Sequence, residues 1–234
     1  MPTTSSSART FSAPLGHVMR GSLVFSRGVS NVTVRVDPTL PVLFEARFEG
    51  EIPEVTVEDG LVEIAYDRGS LRDLLPSLFG GAAREGARGE VVLNPAVPWR
   101  LESRGGVNRL DAHLRGLRLE EVRIGGGVNH LDVDLPAPSG PVSITLGGGT
   151  NRVTLRRPTG TAARLEIGGG ANRVDLDGQH LRSAGGGASL ASRDAAGARD
   201  RYDIRIGGGA NRVSIAEAAE TESAPPPGSS IIWV

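Results

Sequence analysis

The sequence contains no cysteine and no lysine, and it has few aromatic residues. The lack of cysteine excludes disulfide bonds, thiolate metal sites and a cysteine nucleophile. All 26 basic residues are arginines, and 27 acidic residues bring the net charge to −1. Because this balance leaves no overall basic surface, nucleic acid is not expected as a partner. Aromatic residues make up 4 % of the chain, so the core must be mainly aliphatic.

Long apolar runs are also missing. The N-terminal segment MPTTSSSARTFSAPLGHVMRGS lacks the apolar stretch of a secretory signal. No apolar segment is long enough for a transmembrane helix. From these features we expect a soluble, cytoplasmic protein without membrane insertion.

Glycine is abundant, with 33 residues, and much of it lies in a repeat. The segment IGGGANRVDL at 167–176 returns as IGGGANRVSI at 206–215. Related segments give five equivalent asparagines at intervals of 21, 22, 21 and 39 residues: Asn108, Asn129, Asn151, Asn172 and Asn211. The long last interval indicates an insertion, and residues 183–200 have the composition of a flexible loop.

Apolar residues alternate with polar ones on both sides of each glycine cluster. Val142, Ile144 and Leu146 precede one cluster, and Val153 and Leu155 follow it. This period of two is typical of strands with one buried face. Short strands that repeat every 21 or 22 residues predict an all-β, single-domain β-solenoid, in which stacked rungs bury one aliphatic column.

The glycine clusters are predicted to be the corners between strands. Glycine reaches left-handed backbone conformations and permits close backbone contact, and asparagine tolerates such corners. Stacked asparagines would form a hydrogen-bonded ladder of amide groups. Calcium-binding nonapeptide repeats are rejected because asparagine or arginine replaces the metal-binding aspartate. Dinucleotide and phosphate loops are rejected because no helix follows the glycines.

The repeat also sets the predicted domain organisation. Residues 1–21 are expected to be a flexible tail and residues 22–216 the solenoid. Within it, 22–103 form an irregular first section and 104–216 the regular repeats, although 22–103 could instead be a separate small β domain. Residues 217–234 form a predicted disordered, acidic and proline-rich tail. That tail ends in four apolar residues, Ile231, Ile232, Trp233 and Val234, which cap the last rung, dock on a partner or have no role.

Charged residues fill the columns predicted to face outward. Directly after the asparagines stand Arg109, His130, Arg152, Arg173 and Arg212. Asp111, Asp132 and Asp134 lie in the neighbouring columns. A solvated, self-compensated face is the simplest interpretation. An anion-binding stripe formed by Arg109, Arg152, Arg173 and Arg212 is an alternative, suited to an acidic polysaccharide or phosphate-rich polymer. A polysaccharide-acting enzyme that uses the three aspartates is a third.

No catalytic, cofactor or metal motif stands out. The four histidines, His17, His113, His130 and His180, share no metal-ligand spacing, and no GxSxG motif occurs. Neither a cofactor nor a metal is therefore predicted.

The segment EVVLNPAVPWRLESRGGVNRLDAHL, followed by GGGVNHLDVDLP, resembles a broad bacterial family of β-solenoid domains of unknown function labelled putative adhesins. The resemblance covers about residues 22–216. A weaker one is to bactofilins, which are polymerising β-helical scaffolds with proline-containing tails. Both resemblances imply a scaffold without catalytic residues. We therefore expect a non-catalytic structural or interaction protein that binds a protein partner or itself through its faces, its open end or its C-terminal tail.

Overall fold

The computed structural model describes residues 8–66 and 88–218, and these form strands and turns without a helix. The strands in chain order are β1 (Arg9–Pro14), β2 (Gly21–Phe25), β3 (Val29–Val36), β4 (Val42–Glu49), β5 (Glu54–Glu58), β6 (Leu61–Ala65), β7 (Arg88–Leu93), β8 (Pro98–Ser103), β9 (Val107–His113), β10 (Arg118–Ile124), β11 (Val128–Asp134), β12 (Pro141–Leu146), β13 (Thr150–Pro158), β14 (Ala162–Ile167), β15 (Ala171–Leu176), β16 (Gln179–Ala184), β17 (Ala188–Ala191), β18 (Arg201–Ile206) and β19 (Ala210–Ala218). The described residues contain no helix with the length and hydrophobicity that a membrane crossing needs. The predicted all-β class is confirmed.

The strands form two mixed sheets. One has ten strands in the order β1-β4-β7-β3-β9-β11-β13-β19-β15-β16, and the other has nine in the order β17-β14-β18-β12-β10-β8-β2-β6-β5. Six segments each place one strand in the nine-stranded sheet and, after a corner of three residues, the next strand in the ten-stranded sheet, and we call each such segment a unit. The units are β2–β3, β8–β9, β10–β11, β12–β13, β14–β15 and β18–β19. Neighbouring units pair in parallel, and their inward residues form one mainly aliphatic core.

Glycine corners join the two strands of most units and are packed directly on one another. Backbone hydrogen bonds link successive corners: Gly148 N donates to Gly126 O at 3.1 Å, and Gly208 N donates to Gly148 O at 3.2 Å. A Cβ atom on Gly148 would lie 2.7 Å from the backbone nitrogen of Gly127. The corners therefore need glycine because no side chain fits between them.

The expectation that these glycines adopt left-handed backbone is wrong for the regular repeats. None of the glycines at 125–127, 147–149, 168–170 and 207–209 has a positive φ. The left-handed residues near these corners are instead Arg173 and Arg212, each with a φ of 55°. Steric room, rather than backbone freedom, is therefore what these glycines provide.

The units do not stack in chain order. β19 lies between β13 and β15, and β18 lies between β12 and β14. The last unit thus separates the two units that precede it in the sequence. Near-identical corners make this exchange sterically simple, since IGGGANRVDL and IGGGANRVSI present the same shape to either neighbour.

The segment between β15 and β18 covers one end of the stack. β16 pairs antiparallel with β15, and β17 pairs antiparallel with β14. Residues 183–200, for which composition predicts a flexible loop, thus contain β17 and a return segment. In that segment Ser192 N donates to Ala163 O at 2.9 Å.

The irregular first section belongs to the same two sheets. β3 pairs in parallel with β7 and β9, while β1 and β4 add antiparallel strands at the edge. β1 lies inside the predicted N-terminal tail. β5 and β6 form a hairpin through Asp59 and Gly60, both of which are left-handed. Trp99 is fully buried in this half, and its indole N–H donates to Asn94 O at 2.8 Å.

We predict that Gly148→Ala lowers the free energy of unfolding by about 1–3 kcal/mol, because the added methyl group meets rigid backbone. Gly186→Ala is the matched control, since a Cβ there meets nothing within 4 Å at the end of the stack. Its effect should stay within about 0.5 kcal/mol. Urea unfolding of both variants measures the difference, and equal losses would contradict the stacking explanation.

Candidate interaction face

The candidate site is the outer face of the ten-stranded sheet along β9, β11, β13, β19, β15 and β16, hereafter the outer face. In each strand two successive residues point outward before alternation resumes. In β11, for example, Val128 and Leu131 are buried, whereas Asn129 and His130 between them are not. Each unit therefore presents an asparagine, a second residue and then the polar members of the strand.

The five repeat asparagines lie in one hydrogen-bonded row, hereafter the asparagine row. Each side-chain amide donates to the neighbouring side-chain oxygen: Asn129 to Asn108 at 3.1 Å, Asn151 to Asn129 at 3.0 Å, Asn211 to Asn151 at 2.9 Å and Asn172 to Asn211 at 3.0 Å. Because an amide nitrogen carries two hydrogens, each donor keeps one N–H for another acceptor. A groove of about 620 Å³ runs beside this row, with the glycine corners among its lining residues.

Asp111 on β9 contacts one basic side chain of its own strand and one of the neighbouring strand β11. Arg109 Nε donates to Asp111 Oδ2 at 2.8 Å, and His130 Nε2 lies 3.6 Å from Asp111 Oδ1. A carboxylate, an imidazole and a carboxylate meet here, because the ligand atoms of Asp111, His130 and Asp132 all lie within 4.8 Å of one another. These three side chains could hold a metal ion, although Arg109 and Arg156 already contact the two aspartates.

Sequence reasoning missed this triplet because His130 stands in a different column from the aspartates. The signal was nevertheless present, since His130 aligns with Arg109 on the adjacent strand and Asp111 lies two residues beyond Arg109. A diagonal comparison of neighbouring repeats would have brought the three residues together.

Asp132 and Asp134 share one guanidinium. Arg156 Nε donates to Asp134 Oδ1 at 2.5 Å, and Arg156 also binds Asp132. His113 Nδ1 lies 2.7 Å from Asp134 Oδ2. Burial raises the pKa of Asp134, but the hydrogen bonds and charges of Arg156 and His113 outweigh it and hold the pKa below its usual value. Burial lowers the pKa of Arg156, but the hydrogen bonds and charges of the two aspartates outweigh burial and raise this pKa.

Asp134 does not suit the role of general acid in the third hypothesis, a polysaccharide-acting enzyme that uses Asp111, Asp132 and Asp134. Such an enzyme needs a general acid whose pKa is raised. The pKa of Asp134 moves in the opposite direction, and cations contact all three carboxylates.

The predicted arginine stripe divides into two parts. Arg109 is ion-paired with Asp111 and is separated from the others by His130. Arg152, Arg212 and Arg173 lie on three adjacent strands, β13, β19 and β15, and all are exposed. The four apolar tail residues, Ile231, Ile232, Trp233 and Val234, lie outside the described residues.

A second cavity, of about 790 Å³, lies at the capped end of the stack. Arg157 is buried nearby and donates to both carboxylate oxygens of Asp177, at 2.8 and 2.5 Å, and to Thr161 O at 2.6 Å. The repeat does not single out Arg157, because the equivalent positions of the other units carry different residues. Arg157 therefore connects β13 to the turns that contain Thr161 and Asp177, and it is not part of the outer face.

Asp134 predicts an acid-dependent loss of stability. Its folded-state pKa lies below the unfolded value of about 3.9, so its contribution is complete above that pH and is lost as the pH falls through the folded pKa. We expect Asp134→Asn to reduce the fall in unfolding free energy between neutral pH and acid, as measured by urea unfolding across this range. An unchanged acid dependence would show that the network around Arg156 does not hold this pKa down.

Comparisons with known proteins support the fold. No protein-family model matches the chain, and no curated protein matches it in sequence. It is similar to the crystal structure of a putative cell adhesion protein from Clostridium sporogenes, with a TM-score of 0.64 and 18 % identity, over 91 % of this chain and 100 % of that one. A putative adhesin from Bacteroides fragilis aligns with a TM-score of 0.33 and 7 % identity, over 92 % of this chain and 98 % of that one. The first similarity shows a shared fold.

Proposed function

We propose that this chain is a non-catalytic β-solenoid scaffold that binds a partner through its outer face. In this proposal the two sheets are the walls of the solenoid and the asparagine row is its ladder. The observation that carries the proposal is the outer face itself, where neighbouring strands present regular columns of polar groups. Its aspartates are held by arginine and histidine, which supports a binding role over a catalytic one.

The edge strands of both sheets are protected against pairing with another chain, which makes the outer face, rather than the ends of the stack, the better binding surface. An unprotected edge strand is a template for pairing with another chain, and charged residues, proline and short length oppose this. The edge strand β1 carries Arg9 and Pro14, and β5 carries Glu54 and Glu58. At the other end β16 carries Arg182, and β17 has only four residues. All four edges of the described sheets thus have a feature that opposes self-assembly.

A neighbour with the same fold is named a putative cell adhesion protein, which is compatible with an interaction role. The partner in our proposal is either a protein or a polymer that follows the columns of the outer face. A partner bound through the C-terminal tail, including Ile231–Val234, is the competing route.

We predict that the full chain and a chain ending at Ala218 are both monomeric in sedimentation velocity over a hundredfold range of concentration. The reason is that the described edges are protected and the proposed binding surface is polar. Association of the full chain that disappears on truncation would contradict the proposal and assign assembly to the tail. Association of both chains would assign it to the sheet edges.

A further inference from the structure

Four arginines that have no hydrogen bond or ion pair within the described part of the chain lie on four successive strands at the capped end of the outer face. They are Arg152 in β13, Arg212 in β19, Arg173 in β15 and Arg182 in β16, hereafter the free arginine row. We propose that this row, together with the adjoining asparagine row, binds a linear polysaccharide that carries a carboxylate on each sugar ring. The inference rests on the proposed function, because it uses the same outer face.

The strand register places the four residues side by side. Arg152 and Arg212 both lie between the pairs Thr150↔Ala210 and Val153↔Val213. In the same way, Arg173 and Arg182 both lie between the pairs Asn172↔Ser183 and Val174↔Leu181. With adjacent strands about 4.8 Å apart, the row extends over roughly 14 Å. Arg182 lies outside the repeat motif, so only the fold brings it into the row.

The positive charges of this row are not neutralised by carboxylates, as they are elsewhere on the outer face. No hydrogen bond or ion pair joins any of its four members to another residue in 8–66 or 88–218, whereas Arg109 and Arg156 are bound to aspartates. The positions two residues after Arg152 and Arg212 are the neutral Thr154 and Ser214. The corresponding Asp175 has its Oδ2 2.5 Å from His180 Nδ1.

These charges are also close enough to repel one another. Adjacent strands lie closer together than the screening length of about 8 Å at physiological salt, so screening between neighbours is incomplete. A bound polyanion would remove this repulsion.

Two members of the row occupy unfavourable backbone. Arg173 and Arg212 both have a φ of 55°, a conformation that costs a residue with a Cβ more than it costs glycine. Asparagine is more common than arginine at such positions. The presence of arginine at two strained positions of one row is expected if the guanidinium groups contribute to binding.

The surroundings favour a carboxylated polysaccharide among linear polyanions. A guanidinium group binds a carboxylate through two parallel hydrogen bonds. The adjoining asparagine row keeps amide N–H groups that can bind sugar hydroxyls. Strands β13, β19, β15 and β16 contain no phenylalanine, tyrosine or tryptophan on which nucleic acid bases could stack.

The test is titration calorimetry of the full chain with an oligogalacturonate of defined length. We expect saturable binding that weakens as sodium chloride is raised, and no binding of the same oligomer after methyl esterification of its carboxylates. Arg152→Gln, Arg182→Gln, Arg173→Asn and Arg212→Asn should each weaken binding about threefold to fivefold. Asparagine is used at the last two positions because it tolerates their backbone. The combined variant should lose binding at least thirtyfold, by the same reasoning about exposed charge pairs.

Arg109→Gln is the matched control, since Arg109 stands in the same column but is paired with Asp111. It should leave the affinity unchanged, and urea midpoints of all variants report whether they remain folded. The proposal is overturned if the oligogalacturonate does not bind, if Arg109→Gln weakens binding as much as Arg212→Asn, or if inorganic polyphosphate binds and the oligogalacturonate does not. Shortening of the bound oligomer during incubation would support the binding site and overturn the non-catalytic function instead.

Discussion

Close backbone packing at the glycine corners is the constraint on which the structure depends. The middle glycine of one corner lies so near the next corner that a methyl group on either would overlap backbone atoms. This contact lets the strands on both sides of the corner keep parallel pairing with their neighbours, and the aliphatic column between the sheets follows from that pairing. It also brings each repeat asparagine within hydrogen-bonding distance of the next.

The same constraint explains why the stacking order can differ from the chain order. A corner made only of glycine backbone offers no side chain by which one neighbour could be distinguished from another. The last unit therefore fits between its two predecessors, and Asn211 joins Asn151 to Asn172. Without this insertion, Arg152 would lie beside Arg173, and Arg212 would not stand between them. The order of the arginines at the capped end is thus a consequence of topology.

Much of the fold could be predicted from the repeat. The alternation around the corners predicted the strands and their buried residues, and the alignment predicted which polar residues share a column. The order of the units could not be predicted, because β15 and β19 have nearly the same sequence and therefore nearly the same pairing energies. Arg182 was missed for a related reason: it enters the row through an antiparallel strand that does not belong to the repeat. The left-handed backbone was predicted for the corner glycines, but Arg173 and Arg212 adopt it, each three residues after the last glycine of its corner.

The most direct test of this account is a pair of disulfide measurements, which the absence of native cysteine makes unambiguous. Thr154 is paired with Ser214 on the adjacent strand, whereas Asp175 lies one strand further away. A disulfide requires Cα atoms within about 7 Å, which adjacent strands satisfy and strands about 9.6 Å apart do not. Under mild oxidation, a chain carrying Thr154→Cys and Ser214→Cys should form an intramolecular disulfide, and a chain carrying Thr154→Cys and Asp175→Cys should not. The reverse result would mean that the units stack in chain order, and the free arginine row would not exist as described.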